Sequence, residues 1–193
     1  AEIAREVGAS PDTVVALARQ TTFVAPKLSD EAKQALEDFG FFRQRYFGRV
    51  PTPWQTEAGN ILKDLLATPR KEYVVLNAPP GSGKSTLFVH DFLVWLAARD
   101  RSIRVLVGSR TFRQATSYTN RLRRTFARQS LAPVDSDDVL LGLAVEPTGV
   151  LAHDFGRFNP EGRSEQWAAG EFVLVQLDGS TVSEKEASFA AYG

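Results

Sequence analysis

Tyr73-Val74-Val75-Leu76-Asn77-Ala78-Pro79-Pro80-Gly81-Ser82-Gly83-Lys84-Ser85-Thr86 is the stretch on which the reading of this chain turns. Residues 72–77 are a short apolar run and predict a buried strand. From residue 84 to 99, Leu87, Phe88, Phe92, Trp95 and Leu96 recur at a helical spacing. A strand, a glycine-rich turn and a helix, in that order, form the setting in which backbone N–H groups converge at the positive end of a helix and wrap an anion. Glycine is needed at 81 and 83, because side chains there hold a phosphate off the backbone. Lys84 is placed to reach terminal phosphates, the Ser85 hydroxyl to ligate Mg²⁺, and Ser82 and Thr86 to complete the cradle. Ala78 stands where the full motif has a glycine.

Working outward, strand-like and helical segments alternate. A helix is expected over 54–67, a second strand over 103–107, and a further helix over 111–128. Strand, helix, strand, helix implies an α/β fold with a parallel sheet and right-handed crossovers. Another strand is expected over 171–177, closed by Asp178-Gly179, a hairpin-turn pair. Upstream, residues 29–46 read as a helix opened by Ser29-Asp30-Glu31, with Phe39, Phe41, Phe42, Tyr46 and Phe47 as core packing. Residues 2–20 have the spacing of a helix-turn-helix unit, although Asp12, Arg19 and Gln20 are few polar groups for reading DNA. Pro51-Thr52-Pro53 breaks the pattern, dividing a small helical module, 1–50, from the main domain, 51–193.

The 193 residues are 43% hydrophobic, ample for a core, and carry no uncharged run of membrane-spanning length. Cysteine is absent, which removes disulfides and thiolate metal sites from consideration. Methionine is absent too, and the chain opens inside a helical pattern, so a fragment is expected. The zero net charge conceals nine arginines between 99 and 128 against Asp100 alone, followed by eleven acidic residues from 135 onward. Arginine suits bidentate phosphate contacts, whereas a solvated face paired with the acidic segment is the plainer alternative.

Gln55 is the second informative residue. An amide offers an acceptor and two donors, a match for the amino group and ring nitrogen of adenine, so ATP is preferred over GTP on this reading. A capped surface helix accounts for the same residue without a ligand.

Pro53-Trp54-Gln55 ahead of Ala78-Pro79-Pro80-Gly81-Ser82-Gly83-Lys84-Ser85 resembles the large terminase subunit of tailed bacteriophages, the ATPase that drives DNA into a capsid. Gly108-Ser109-Arg110-Thr111-Phe112-Arg113-Gln114-Ala115 and Lys185-Glu186-Ala187-Ser188-Phe189-Ala190-Ala191-Tyr192-Gly193 resemble later segments of that family. The likeness spans about residues 51–193. It implies a helicase-like P-loop NTPase domain with ATP and Mg²⁺ as ligands and Lys84 on the β and γ phosphates. Implied partners are double-stranded DNA, the portal protein, the small terminase subunit and other copies in a ring, in the host cytoplasm. The family's aspartate and catalytic glutamate have no counterpart here; Asp178 is followed by Gly179, so an incomplete ATPase domain is expected, with those acids and the nuclease domain beyond residue 193. A superfamily 2 helicase-like translocase shares the glutamine and the loop. A DNA-binding module with a vestigial loop is the reading from another class.

Overall fold

Ser29 starts the first helix as the sequence implies, its Oγ accepting from the Ala32 N–H at 3.1 Å. In the computed structural model, which describes residues 27–68, 70, 71, 73–161, 167–180 and 187–193, the expected 29–46 helix is two. These are α1 (Asp30–Glu37) and α2 (Phe39–Phe47). Asp38 leaves helical geometry and caps α2, its carboxylate accepting from the Phe41 N–H at 3.0 Å. Gly48 ends α2 in the left-handed conformation, φ 66°. α3 (Pro53–Leu66) begins with proline at its first position and a Thr52–Gln55 capping box. The helix-turn-helix reading of 2–20, with Asp12, Arg19 and Gln20, lies outside the described residues, as do Glu72, Lys185 and Glu186.

The helix after the glycine-rich turn forms in three pieces. α4 (Lys84–Thr86) passes into a π turn (Leu87–Asp91) and then α5 (Phe92–Arg99). β1 (Val105–Gly108) and α6 (Phe112–Phe126) follow, close to their expected places, with Thr111 capping α6 through Gln114 N–H at 3.3 Å. Two short helices, α7 (Ser136–Leu140) and α8 (Leu151–Phe155), precede β2 (Glu171–Phe172) and β3 (Phe189–Tyr192).

The result is an α/β arrangement: a small three-stranded sheet, order β1-β3-β2, flanked by helices. The sheet is mixed rather than parallel. β1 pairs parallel with β3, Val105 opposite Phe189, while β2 runs antiparallel to β3. The expected strand 171–177 pairs with β3 only at its first two residues; Val173, Leu174 and Val175 are buried, and the Leu174 N–H donates to the Ser188 hydroxyl at 3.1 Å. The turn beyond it is present, with Gln176 N–H donating to Ser180 O at 2.8 Å and Gly179 at φ 80°.

The larger correction concerns residues 73–77. They run into the loop without strand pairing, and Tyr73 and Val75 are 93% and 84% exposed. An apolar parallel strand is buried only when neighbours and layers cover both faces. Among the described residues nothing lies alongside this segment to do so, and β1 likewise leaves Leu106 67% exposed.

The core is aromatic and spans the Pro51-Thr52-Pro53 break. Phe39 meets Phe92 edge-on at 5.3 Å, and Trp95, fully buried, packs on both rings. Phe42, Tyr46 and Phe47 continue the cluster to Phe155, in keeping with the packing role expected of these aromatics. On the far side Phe126 of α6 packs against Phe158, Phe172 and Phe189, fastening α6 to the sheet. Among the described residues no helix is long and apolar enough to cross a membrane.

Trp95 ties α1 and α2 to α5, its indole N–H donating to Ala35 O at 3.0 Å. Trp95→Ala is expected to cost about 3–5 kcal/mol in urea unfolding, and Trp95→Phe less, since most packing stays. A cost below about 1 kcal/mol for Trp95→Ala would show that α1 and α2 do not depend on α5.

Candidate functional site

The turn between residues 79 and 83 is built from two left-handed glycines. Gly81 and Gly83 both sit at φ 80°, a conformation that a side chain makes costly. The Ser82 N–H donates back to Pro79 O at 3.3 Å, and Gly83 caps α4, its carbonyl accepting from Leu87 N–H at 2.8 Å. The N–H groups of Lys84, Ser85 and Thr86 therefore form the first turn of a helix, where no earlier helical carbonyl is available to accept them. Lys84 curls over the turn, its Nζ donating to Pro79 O at 3.3 Å. Ser85 is exposed and Thr86 half-buried. The Ser82 hydroxyl is buried without a hydrogen-bond partner, and a Cβ at Gly81 would meet nothing within 4 Å.

Gln55 projects from the first turn of α3 onto this loop. It is 8% exposed, and its Nε2 donates to Ser82 O at 3.3 Å. Its Oε1 accepts from Arg43 Nη1 at 2.8 Å. All the predicted loop residues and Gln55 are thus gathered in one place. Beside them opens a cleft of about 350 Å³, lined among others by Arg49, Thr52, Gln55, Gly83, Thr86 and Asp138.

Behind the cleft stands a buried ionic network. Asp91, 0% exposed, accepts from Arg43 Nε at 2.9 Å, from Arg49 Nη1 and from His90 Nδ1 at 2.7 Å. Burial pushes its carboxyl up, but the His90 hydrogen bond and the charges of Arg49 and Arg43 prevail and hold it below the usual range. His90 Nε2 lies 2.8 Å from Thr125 Oγ1 on α6. An ionised carboxylate can only accept, so Nδ1 carries the proton and Nε2 accepts from the threonine. Burial pushes the His90 imidazole down despite Asp91, with Arg49 and Arg121 adding to the effect. The ring is neutral at pH 7.

Arg43, Arg49 and Asp91 escaped the sequence reading. Each carried a signal: Asp91 interrupts the apolar face of the loop helix, and Arg43 interrupts the aromatic run of α2. Polar groups at apolar phase positions mark buried pairs.

The arginine-rich segment divides by role. Arg101 is internal: its guanidinium donates to the carbonyls of Val175 at 2.6 Å, Arg157 at 2.5 Å, Gly156 at 3.1 Å and Phe155, and lies 4.2 Å over Phe158. Burial pushes it down to about 10. Arg123 is tied to Asn120 and Trp167 O. Arg110, Arg113, Arg121 and Arg124 are exposed. Asp178 stays in its turn, exposed, one oxygen accepting from both the N–H and hydroxyl of Ser180, which hold its carboxyl below the usual range.

Comparison with protein-family models, curated proteins and solved structures returns no match for this chain.

The His90 environment has a pH consequence. The unfolded imidazole takes up a proton below about pH 6.5, while the folded one, lowered by burial, does so only at lower pH. Stability is therefore expected to fall as pH drops from about 6.5. In His90→Asn, which keeps a donor for Asp91, that slope should flatten. Thermal unfolding between pH 7.5 and 5 checks it, and an unchanged slope in the variant overturns the assignment.

Proposed function

We propose that this chain is the nucleotide-binding part of a DNA-translocating ATPase of the large-terminase type, within a P-loop NTPase fold, taking ATP with Mg²⁺ at the 81–86 turn. The observation that supports this reading is the turn itself. Two positive-φ glycines, a lysine ammonium turned back onto Pro79 O and an orphaned Ser82 hydroxyl stand at the start of a helix. These are the groups a polyphosphate needs, and the Lys84 ammonium bonds a backbone carbonyl rather than a carboxylate.

Each residue then has a task. The amides of residues 83–86 cradle phosphate oxygens, and Gly81 leaves the space for their approach. Lys84 exchanges its weak bond to Pro79 O for charge-assisted bonds to the terminal phosphates. The exposed Ser85 hydroxyl would hold Mg²⁺, whose chemistry when bound is to neutralise charge on the phosphates. Among the described residues no group of three or more His, Asp or Glu could hold a metal ion, so a metal here would rest on Ser85 and the phosphates. Arg49, paired with Asp91, lines the adjoining cleft together with Asp135 and Asp138.

The exposed arginines Arg110, Arg113, Arg121 and Arg124 fit non-sequence-specific contact with a DNA backbone. The portal protein, the small terminase subunit, a ring of copies and the host cytoplasm follow from the resemblance of the loop and Gln55 segments and belong to the same proposal.

Titration calorimetry with MgATP tests the reading. Lys84→Ala is expected to weaken binding about 10- to 100-fold, the value of one charge-assisted contact, without lowering the melting temperature of the free protein. No heat from the wild-type chain, or equal affinity in Lys84→Ala, refutes the nucleotide site.

A further inference from the structure

We infer that Gln55 grips the phosphate loop rather than reading a base, and that Arg43, held by Asp91, fixes it there; this rests on the nucleotide reading of the loop. The argument begins with the amide's own valences. A carboxamide oxygen has two lone pairs. The oxygen of Gln55 accepts from Arg43 Nη1 at 2.8 Å and faces the Thr52 N–H at 3.4 Å, the latter closing the cap of α3. A guanidinium has donors and no acceptor, so the oxygen rather than the NH₂ must face Arg43. The amide's orientation is thereby set by chemistry.

The NH₂ end lies on the loop. Nε2 is 3.3 Å from Ser82 O, and a Cβ built on Gly83 would come within 3.3 Å of the same nitrogen. Gln55 thus bonds Ser82 and lies close beside Gly83. Glycine at 83 serves both its left-handed φ and the approach of this side chain.

Reading adenine asks something different of an amide. The oxygen must accept from the exocyclic amino group while the nitrogen donates to a neighbouring ring nitrogen. Here both acceptor sites are taken. What remains is a single N–H, and acceptor ring nitrogens are present in adenine and guanine alike. Freeing the oxygen would strand a buried guanidinium N–H, because Arg43 is itself pinned by Asp91 at 2.9 Å. Gln55 is a positioning residue: it presses the loop into its phosphate-ready form and is blind to the base. The ligand class selected at this point is a magnesium polyphosphate, whatever nucleoside it carries.

Calorimetry with MgATP, MgGTP and magnesium tripolyphosphate separates the two roles. Gln55→Ala is expected to weaken all three by one common factor, about tenfold. Loss confined to MgATP, or no loss, overturns the assignment. Wild-type protein that binds none of the three overturns the nucleotide reading itself, a separate result. Arg43→Lys keeps the charge against Asp91 but cannot fork to both partners, and is expected to show the same common loss. Arg43→Lys that binds like wild type removes Arg43 from the scheme. The double variant should lose no more than Gln55→Ala alone, since both act through one contact; additive losses refute the link.

Discussion

Asp91 is the constraint around which the structure is arranged. A carboxylate removed from water is tolerated only when its charge is matched and its oxygens are filled, and two arginines and a histidine do this here. Those partners come from α2, from the residue after its glycine cap, and from the π turn itself. Through His90 the network reaches Thr125 on α6. Elements distant in sequence must therefore meet at one point, with little freedom to slide. The π turn is part of the device, since it places Leu87, His90 and Asp91 together on the buried side of the loop helix. Loss of one partner would strand the others, which is why the arrangement specifies position more than it adds stability.

That fixed point governs the loop. Asp91 lies on the same helical run as Lys84, and Arg43 spans from Asp91 to Gln55, which rests on Ser82. The glycine-rich turn is thus held where it enters the helix, by its own helix and by α3 through a side chain. Such support matters for a site made of backbone donors, because their aim is set by a few dihedral angles. The wall opposite is held in the same manner. Val145 N–H donates to Gly48 O at 2.8 Å, and a Cβ at Gly48 would strike Val145 O, so the 144–149 segment can close on α2 only over a glycine. Tyr46 and Arg45 add a second tie through Asp154, at 2.6 and 2.9 Å.

The arginines show how one residue type serves different ends in one fold. Nine of them between 99 and 128 look alike as a composition. Burial separates Arg101, which holds carbonyls after α8, from Arg110, Arg113, Arg121 and Arg124, which face solvent. Arg43 and Arg49, outside that cluster, line the cleft beside the loop. Charge counting along a chain cannot make this distinction, because exposure is a property of packing.

Local patterns were legible where local physics decides. The cap at Ser29, the helix over the apolar positions after Lys84, the need for glycine at 81 and 83 and the turn at Asp178-Gly179 depend on neighbours within a few residues. The sequence by itself thus determined the longer helices α3, α5 and α6, the glycine-rich turn and the α/β class. Tertiary structure alone decided the rest. It left residues 73–77 unpaired, because a strand exists only against a partner; it made the sheet mixed, because strand direction depends on how long connections return. It also drew Arg43, Arg49 and Asp91 together and turned Gln55 toward the loop, since a buried charge chooses its partners by proximity in space.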